Sequence, residues 1–440
     1  MGSPGIGDPY RPRSGNGGYD VLRYDIDVQV DFDPARLTRG RTTLQATATQ
    51  PLSRFNLDFS LTADTVTVDG VPAEFTQQGS ELLITPTNPL PAGGTFTSEV
   101  SYHSDDQPAG WHATADEIVA SGQPAIAEWW FPSNDHPQDA ALFDVTVDVP
   151  KGKQGVSVGR LLHQQSSGGR TRWHWRAAEP MQTYAAFFAA GGFDLSTETV
   201  DQIRYTYAVS QQLPANDRTT AMRLLQQTPR LVAAMESDYG RYPYADGGGL
   251  VTATFETEDW AMENQTRPTY PLVRDPDAAH RLLAHELGHQ WFGDWIRPHR
   301  WRDIANNESL ARWSEMRWSE LNGGPSANDQ LTSMWAEHPA DDDFWRLRID
   351  DPGPEHLFDL PVYDRSAMMV QALRNRLGDE VFFEVLRAWV DTYGGRTATV
   401  GDFEVLAGQV SGHNLSAFFT VWLRTPERPA STATNGFHPR

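Results

Sequence analysis

Along residues 24–32, Tyr24, Ile26, Val28, Val30 and Phe32 alternate with polar side chains, the period of a half-buried strand. FNLDFS, DTVTVDG, ELLITP, TFTSEVSY and FDVTVDVP repeat that pattern, and Asp69-Gly70 closes the second of them with a turn signal. The chain up to about residue 200 therefore reads as an antiparallel β domain. Past that point the period changes. RTTAMRLLQQTPRLVAAMESDYG spaces its apolar residues three and four apart, as an amphipathic helix does. Further helices are predicted over 276–292, 307–321, 366–377, 379–393 and 401–411, with Gly or Pro between them. One strand-like piece, GLVTATF, interrupts this half. The pattern predicts an α+β multidomain chain: a β domain over 1–203, a mainly helical domain over 204–430 and a tail over 431–440.

Composition narrows the function. A length of 440 residues, 39% of them hydrophobic and fifteen of them Trp, suits two folded domains better than one core. No run of about eighteen apolar residues occurs and the N-terminus lacks an apolar signal core, so no membrane insertion is expected. The opening Met-Gly-Ser leaves open whether an export signal has been removed. The net charge of −22 argues against nucleic acid and anionic membranes as partners, since both need a basic surface. With no cysteine, disulfides and thiolate metal sites are excluded. Any bound metal must sit on histidine and carboxylate.

HRLLAHELGHQWFGDW, from His280 to Trp295, offers those ligands. Asp275-Pro276-Asp277 ahead of it is a helix start, with Asp275 as cap and Pro276 at the first position, and Gly293 is a plausible stop. His285 and His289, four apart, share one helical face, as two imidazoles must to share a zinc ion, and Glu286 lies beside it. The bland alternative is a chance match on an ordinary helix, which leaves two imidazoles and a carboxylate on an apolar segment without partners. A catalytic zinc takes three protein ligands and keeps a fourth position open. Glu308, nineteen residues after His289, is the candidate third ligand, although a first-turn glutamate also occurs for the helix dipole alone. Asp303 and Glu315 are candidate acceptors for the imidazole N–H groups, or else surface carboxylates.

H-E-x-x-H, eighteen residues and then Glu in NNES resemble the gluzincin metallopeptidases, specifically the M1 family of zinc aminopeptidases that includes leukotriene A4 hydrolase. HELGHQWFGD looks like that family's zinc helix. Upstream, Ala261-Met262-Glu263-Asn264 is similar to its GAMEN strand, which implies that Glu263 grips the free α-amine of a peptide while the strand pairs with the peptide backbone. SGQPAIAEWWFPSNDHP resembles the segment in which a Gln or Glu also faces that amine, here Gln123. VYDRSAMMVQ resembles the start of a later helix, which makes Tyr363 the phenol that stabilises the oxyanion, and SGHNLSAFFTVWLRTPERP resembles the end of the catalytic domain. Read from the residues alone, Glu263 is an edge-strand glutamate, Gln123 a loop glutamine and Tyr363 a half-buried core tyrosine.

The resemblance implies a thermolysin-like catalytic domain after the β domain and one zinc per chain on His285, His289 and Glu308. Glu286 is then general base toward a zinc-activated water, and peptides with a free N-terminus are the substrates. A monomeric, extracellular protein is the corresponding expectation, with a cytoplasmic location as the alternative. The chain departs from the family in three ways. Trp260 stands where the family has Gly. Ala305, Asn306 and Ser309 replace a Trp, a Leu and a Gly around Glu308, which is expected to open a cavity or loosen that ligand. The C-terminal helical domain of larger members is missing from this sequence. Endopeptidase or epoxide-opening chemistry on the same zinc, and a catalytically weak scaffold, are the alternatives.

Overall fold

The computed structural model of the chain describes residues 1–255 and 260–437; the last three residues of the predicted tail lie outside them. The chain divides into two compact units, Met1–Gln226 with Tyr244–Arg274, and Gln227–Pro243 with Asp275–Arg440. The sequence suggests one cut near residue 203. The amphipathic stretch after Arg218 forms two helices instead of one, α1 (Ala215–Leu225) and α2 (Thr228–Tyr239), because Pro229 starts a new helix at its first turn. One of these helices falls in each unit.

The first unit is built on an eight-stranded sheet. Its strands lie in the order Arg160–Ser167, Arg170–Met181, Ala141–Pro150, Tyr19–Phe32, Ala35–Ala48, Thr95–His103, Thr62–Val68 and Val71–Pro72. Neighbours are antiparallel except at one place, where Tyr19–Phe32 runs parallel to Ala141–Pro150 and sets Ile26 beside Val145 and Val28 beside Val147. The expected alternation holds, with Tyr24, Ile26, Val28 and Val30 buried on one face. The other face carries charge in pairs: Asp144 accepts from Arg176 at 2.8 Å and meets His174 at 2.9 Å, and Asp148 accepts from Arg170 at 2.7 Å. The strand-like piece GLVTATF also belongs to this unit; its first three residues end strand Asp246–Val251, parallel to Ile203–Ser210, and the remaining four lie outside any strand.

The second unit is helical: α2, α3 (Pro276–His289), α4 (Ala305–Leu321), α5 (Ala327–Glu337), α6 (Leu360–Leu377), α7 (Asp379–Tyr393) and α8 (Val400–Ser411). The sequence pattern misses α5, which Ser326 caps by accepting from Asp329 N–H at 3.0 Å. It also starts α6 six residues late, because Leu360–Arg365 mixes charge into the first turns. Trp291, Trp301 and Trp313 are fully buried here, and Trp130 in the first unit, as packing residues. No helix among the described residues is long and apolar enough to cross a membrane.

Asp135 is a costly feature of the first unit. It is 2% exposed; its Oδ1 accepts from the Thr183 hydroxyl at 2.5 Å, while Oδ2 has no hydrogen-bond partner among the described residues. Burial pushes its carboxyl up to about 7, and the Thr183 bond offsets this only in part. Between about pH 4 and pH 7 the folded chain therefore holds a proton that the unfolded chain has released, so this residue's contribution falls as pH rises through that window. Asp135→Asn is expected to stabilise the protein at pH 8, by about 2–4 kcal/mol, and to leave it nearly unchanged at pH 4. Thermal midpoints of both proteins across that range check this, and a difference independent of pH refutes it.

Candidate metal centre

Asp275 caps α3 as expected, accepting from Asp277 N–H at 3.2 Å, with Pro276 in the first turn. The helix ends at His289, three residues before the predicted end, and the chain then turns through Gly293 at φ +130°, a conformation that favours glycine. That turn carries the Phe292 carbonyl back to His289 Nδ1, 3.0 Å away. The partner of His285 Nδ1 is Glu315 Oε1, at 2.8 Å. Glu315 thus fills the place foreseen for it. Asp303 does not: its carboxylate accepts from the backbone N–H groups of Arg300 at 3.2 Å and Val400 at 3.1 Å, and a backbone carbonyl serves His289 instead.

Helices α3 and α4 meet at Gly288. A Cβ there would stand 2.7 Å from Ser314 Oγ and 3.1 Å from Ala311 Cα, so only glycine lets the two backbones approach this closely. Ser314 is itself fixed, donating to the Leu310 carbonyl at 2.7 Å and paired with the Tyr239 hydroxyl at 2.8 Å. This approach sets Glu308, in the first turn of α4, against the two histidines.

With each Nδ1 engaged, the Nε2 atoms of His285 and His289 face one another at 3.1 Å, and Glu308 Oε2 lies 3.4 Å from both. That oxygen is buried and takes no hydrogen bond from either ring. Bonds of about 2.0–2.1 Å to a tetrahedral ion put its ligand atoms about 3.3 Å apart. Three buried donor atoms at these separations fit a zinc-sized ion. The charges agree. Burial alone disfavours a charged His285, but Glu308 and Glu315 outweigh it and hold the imidazole well above the usual histidine value. Burial likewise would raise the Glu308 carboxyl, yet His289 and His285 hold it down to about 2. A Glu286 carboxylate oxygen lies within 4.8 Å of a His289 ring nitrogen. Tyr363, in the first turn of α6 and not ahead of the helix, has its ring centroid 6.1 Å from that of His285.

The departures around Glu308 leave it in place. Ala305, Asn306 and Ser309 are buried in the first turns of α4, and Asn306 Nδ2 donates to the Ala398 carbonyl at 3.4 Å.

Gln123, Ala261, Met262, Glu263 and Asn264 lie in the first unit. Met262 exchanges backbone hydrogen bonds with Thr269, at 2.9 and 2.8 Å. The Asn264 side chain is committed internally: Oδ1 accepts from the hydroxyls of Ser121 and Thr269, both at 2.8 Å, and Nδ2 donates to the Ala185 carbonyl at 3.3 Å. It ties the loop before Gln123 to the segment bearing Glu263. Gln123 Oε1 is a buried acceptor with no hydrogen bond among the described residues, and Glu263 is 2% exposed. Trp260 packs on Phe255 and His112, with ring centroids 4.4 and 4.9 Å away.

Residues 224–422 match the peptidase family M1 domain, and residues 21–185 match the peptidase M1 N-terminal domain. The chain belongs to peptidase family M1. Among relatives, this M1 chain is 24% identical to aminopeptidase M1-A of rice over 92% of its own length and 50% of that protein's. It is 25% identical to aminopeptidase N of Lactococcus lactis over 69% of its length and 38% of that protein's. The M1 chain thus spans half or less of the length of these curated relatives. A crystal structure of an M1 zinc metallopeptidase from Deinococcus radiodurans is similar with a TM-score of 0.85 and 25% identity, covering 97% of this chain and 99% of that one.

Two residues that shape the centre went unnoticed in the sequence. Gly288 was legible as an unexplained glycine inside a helical pattern. Arg312, three residues before Glu315, was legible as an ion-pair spacing. Gly288→Ala is expected to push α3 from α4, weakening zinc binding at least about tenfold and lowering stability by about 1–3 kcal/mol. Competition with a chelating dye and a thermal melt measure the two effects; unchanged zinc affinity would show that the helix approach does not set the ligand geometry.

Proposed function

We propose that this chain is a zinc aminopeptidase that removes the N-terminal residue from peptides. The observation that carries this reading is the convergence of His285 Nε2, His289 Nε2 and Glu308 Oε2, with both Nδ1 atoms already engaged and Glu286 beside them. One zinc ion held by these three residues supplies Lewis acidity to the scissile carbonyl and to a water molecule. Glu286 takes the water's proton and delivers it to the leaving amine. Tyr363 donates a hydrogen bond to the oxyanion, a charge present only on the way through the tetrahedral stage.

Glu263 and Gln123 make this an exopeptidase. The carboxylate of Glu263 and the open acceptor of Gln123 favour a free ammonium and leave a blocked N-terminus without partners. The segment Ala261–Met262 extends the grip to the peptide backbone, while Asn264 ties that segment to the loop at Ser121. A role on peptides is supported by the family and by the aminopeptidase names of its relatives. A monomeric, extracellular protein is a further part of this proposal.

A panel of aminoacyl-arylamides tests the reading. Wild type is expected to hydrolyse them and to fail on the N-acetylated forms. Glu286→Gln is expected to keep about one zinc per chain and lose at least about 10³-fold in kcat. Glu263→Ala should lose more in kcat/KM on free than on acetylated peptides. Equal cleavage of free and acetylated substrates would indicate an endopeptidase, and a zinc-loaded wild type inert on every peptide would remove the enzymatic reading.

A further inference from the structure

The metal centre and Tyr363 are joined by a chain of side chains that the mechanism above does not use. Glu315 holds His285 Nδ1 with Oε1, and its other oxygen, Oε2, accepts from Arg312 Nη1. Arg312 then reaches in a second direction, donating from Nε to Asp364 Oδ1 at 2.7 Å. Asp364 directly follows Tyr363 in the first turns of α6. Imidazole, carboxylate, guanidinium and carboxylate thus run without a gap from a metal ligand to the neighbour of the phenol. The side chains are 11%, 9%, 29% and 12% exposed, so solvent screens the links weakly.

On its other side the same turn is anchored separately. Arg365, fully buried, donates to the carbonyls of Trp345 at 2.7 Å, Leu347 at 3.0 Å, Val421 at 3.2 Å and Thr425 at 2.6 Å. That anchor holds α6 to its surroundings without reference to the metal ligands. The Arg312–Asp364 link ties this turn to α4, the helix that carries Glu308 and Glu315, while further along α6 Gln371 accepts from Trp313 at 2.9 Å and Arg374 donates to Glu320 at 3.0 Å.

We propose that Arg312 is a positioning residue, a two-armed strut that holds the helix turn of Tyr363 at a fixed distance from His285 by binding Asp364 with one arm and Glu315 with the other. The inference rests on the aminopeptidase reading with Tyr363 as oxyanion donor. A guanidinium suits this task because its donors are set at fixed angles in one plane, whereas an ammonium offers a single point. Misplacing a hydrogen-bond donor by about 1 Å costs up to about 10²-fold in rate, so a rigid link between donor and metal ligand matters to the chemistry.

The test uses purified full-length protein loaded with zinc. Arg312→Lys and Asp364→Asn are each expected to lower kcat about 10- to 100-fold with KM changed less than about threefold. Because the effect runs through the phenol, adding Asp364→Asn to Tyr363→Phe should cost less than about threefold more. Zinc competition with a chelating dye reads the other arm: Glu315→Gln should weaken binding about 10- to 100-fold, Arg312→Lys about 3- to 10-fold, and Asp364→Asn less than about threefold. Full kcat in Asp364→Asn overturns the proposal, as does a loss that multiplies undiminished in the Tyr363→Phe background. If zinc-loaded wild type hydrolyses no peptide, the aminopeptidase reading fails by itself. The zinc series still decides the strut, since wild-type affinity in Arg312→Lys would overturn it.

Discussion

The metal centre depends on how closely α3 can lie against α4, and Gly288 sets that distance. A histidine pair at i and i+4 supplies two donor atoms on one face, but a third must come from another element at a separation fixed to a few tenths of an ångström. With Ser314 Oγ 2.7 Å and Ala311 Cα 3.1 Å from where a Cβ at 288 would stand, α3 and α4 pack without room for a side chain between them. Glu308 then meets both Nε2 atoms at the same 3.4 Å. Any larger residue at that contact would move the ligand and the imidazoles apart together.

Electrostatics completes what packing begins. Glu308, Glu315 and Glu286 surround two imidazoles in a buried space, an arrangement with excess negative charge that a dication would neutralise. The partners of the two Nδ1 atoms differ in kind. Glu315 brings a full charge, which Arg312 shares with Asp364. For His289 the partner is a peptide carbonyl, delivered by the turn at Gly293. A charged partner raises the basicity of its imidazole more than a neutral one does, so His285 and His289 are unequal ligands even though the motif presents them as a symmetric pair.

The first unit pursues the same logic with hydrogen bonds. The Asn264 side chain binds Ser121, Thr269 and Ala185, which fixes the segment bearing Glu263 to the loop bearing Gln123. Beside them Trp260 lies in an aromatic group with Phe255 and His112, so the bulk that replaces the family's usual glycine is taken up by packing within this unit.

Period and local chemistry alone determined much of this protein. Alternation at Tyr24, Ile26 and Val28 specified the strands, because a side chain's face on a pleated strand depends only on its parity. The cap at Asp275 and the four-residue spacing of His285 and His289 specified the zinc helix, because helical geometry is local. Motif spacing also pointed to Glu308. The sequence could not reveal the parallel pair in the large sheet, the discontinuous division into units, the carbonyl that serves His289 or the arm from Arg312 to Asp364. Each joins residues far apart in the chain or uses a backbone group common to every residue. Their partners are therefore chosen by packing distance, which only the tertiary structure decides.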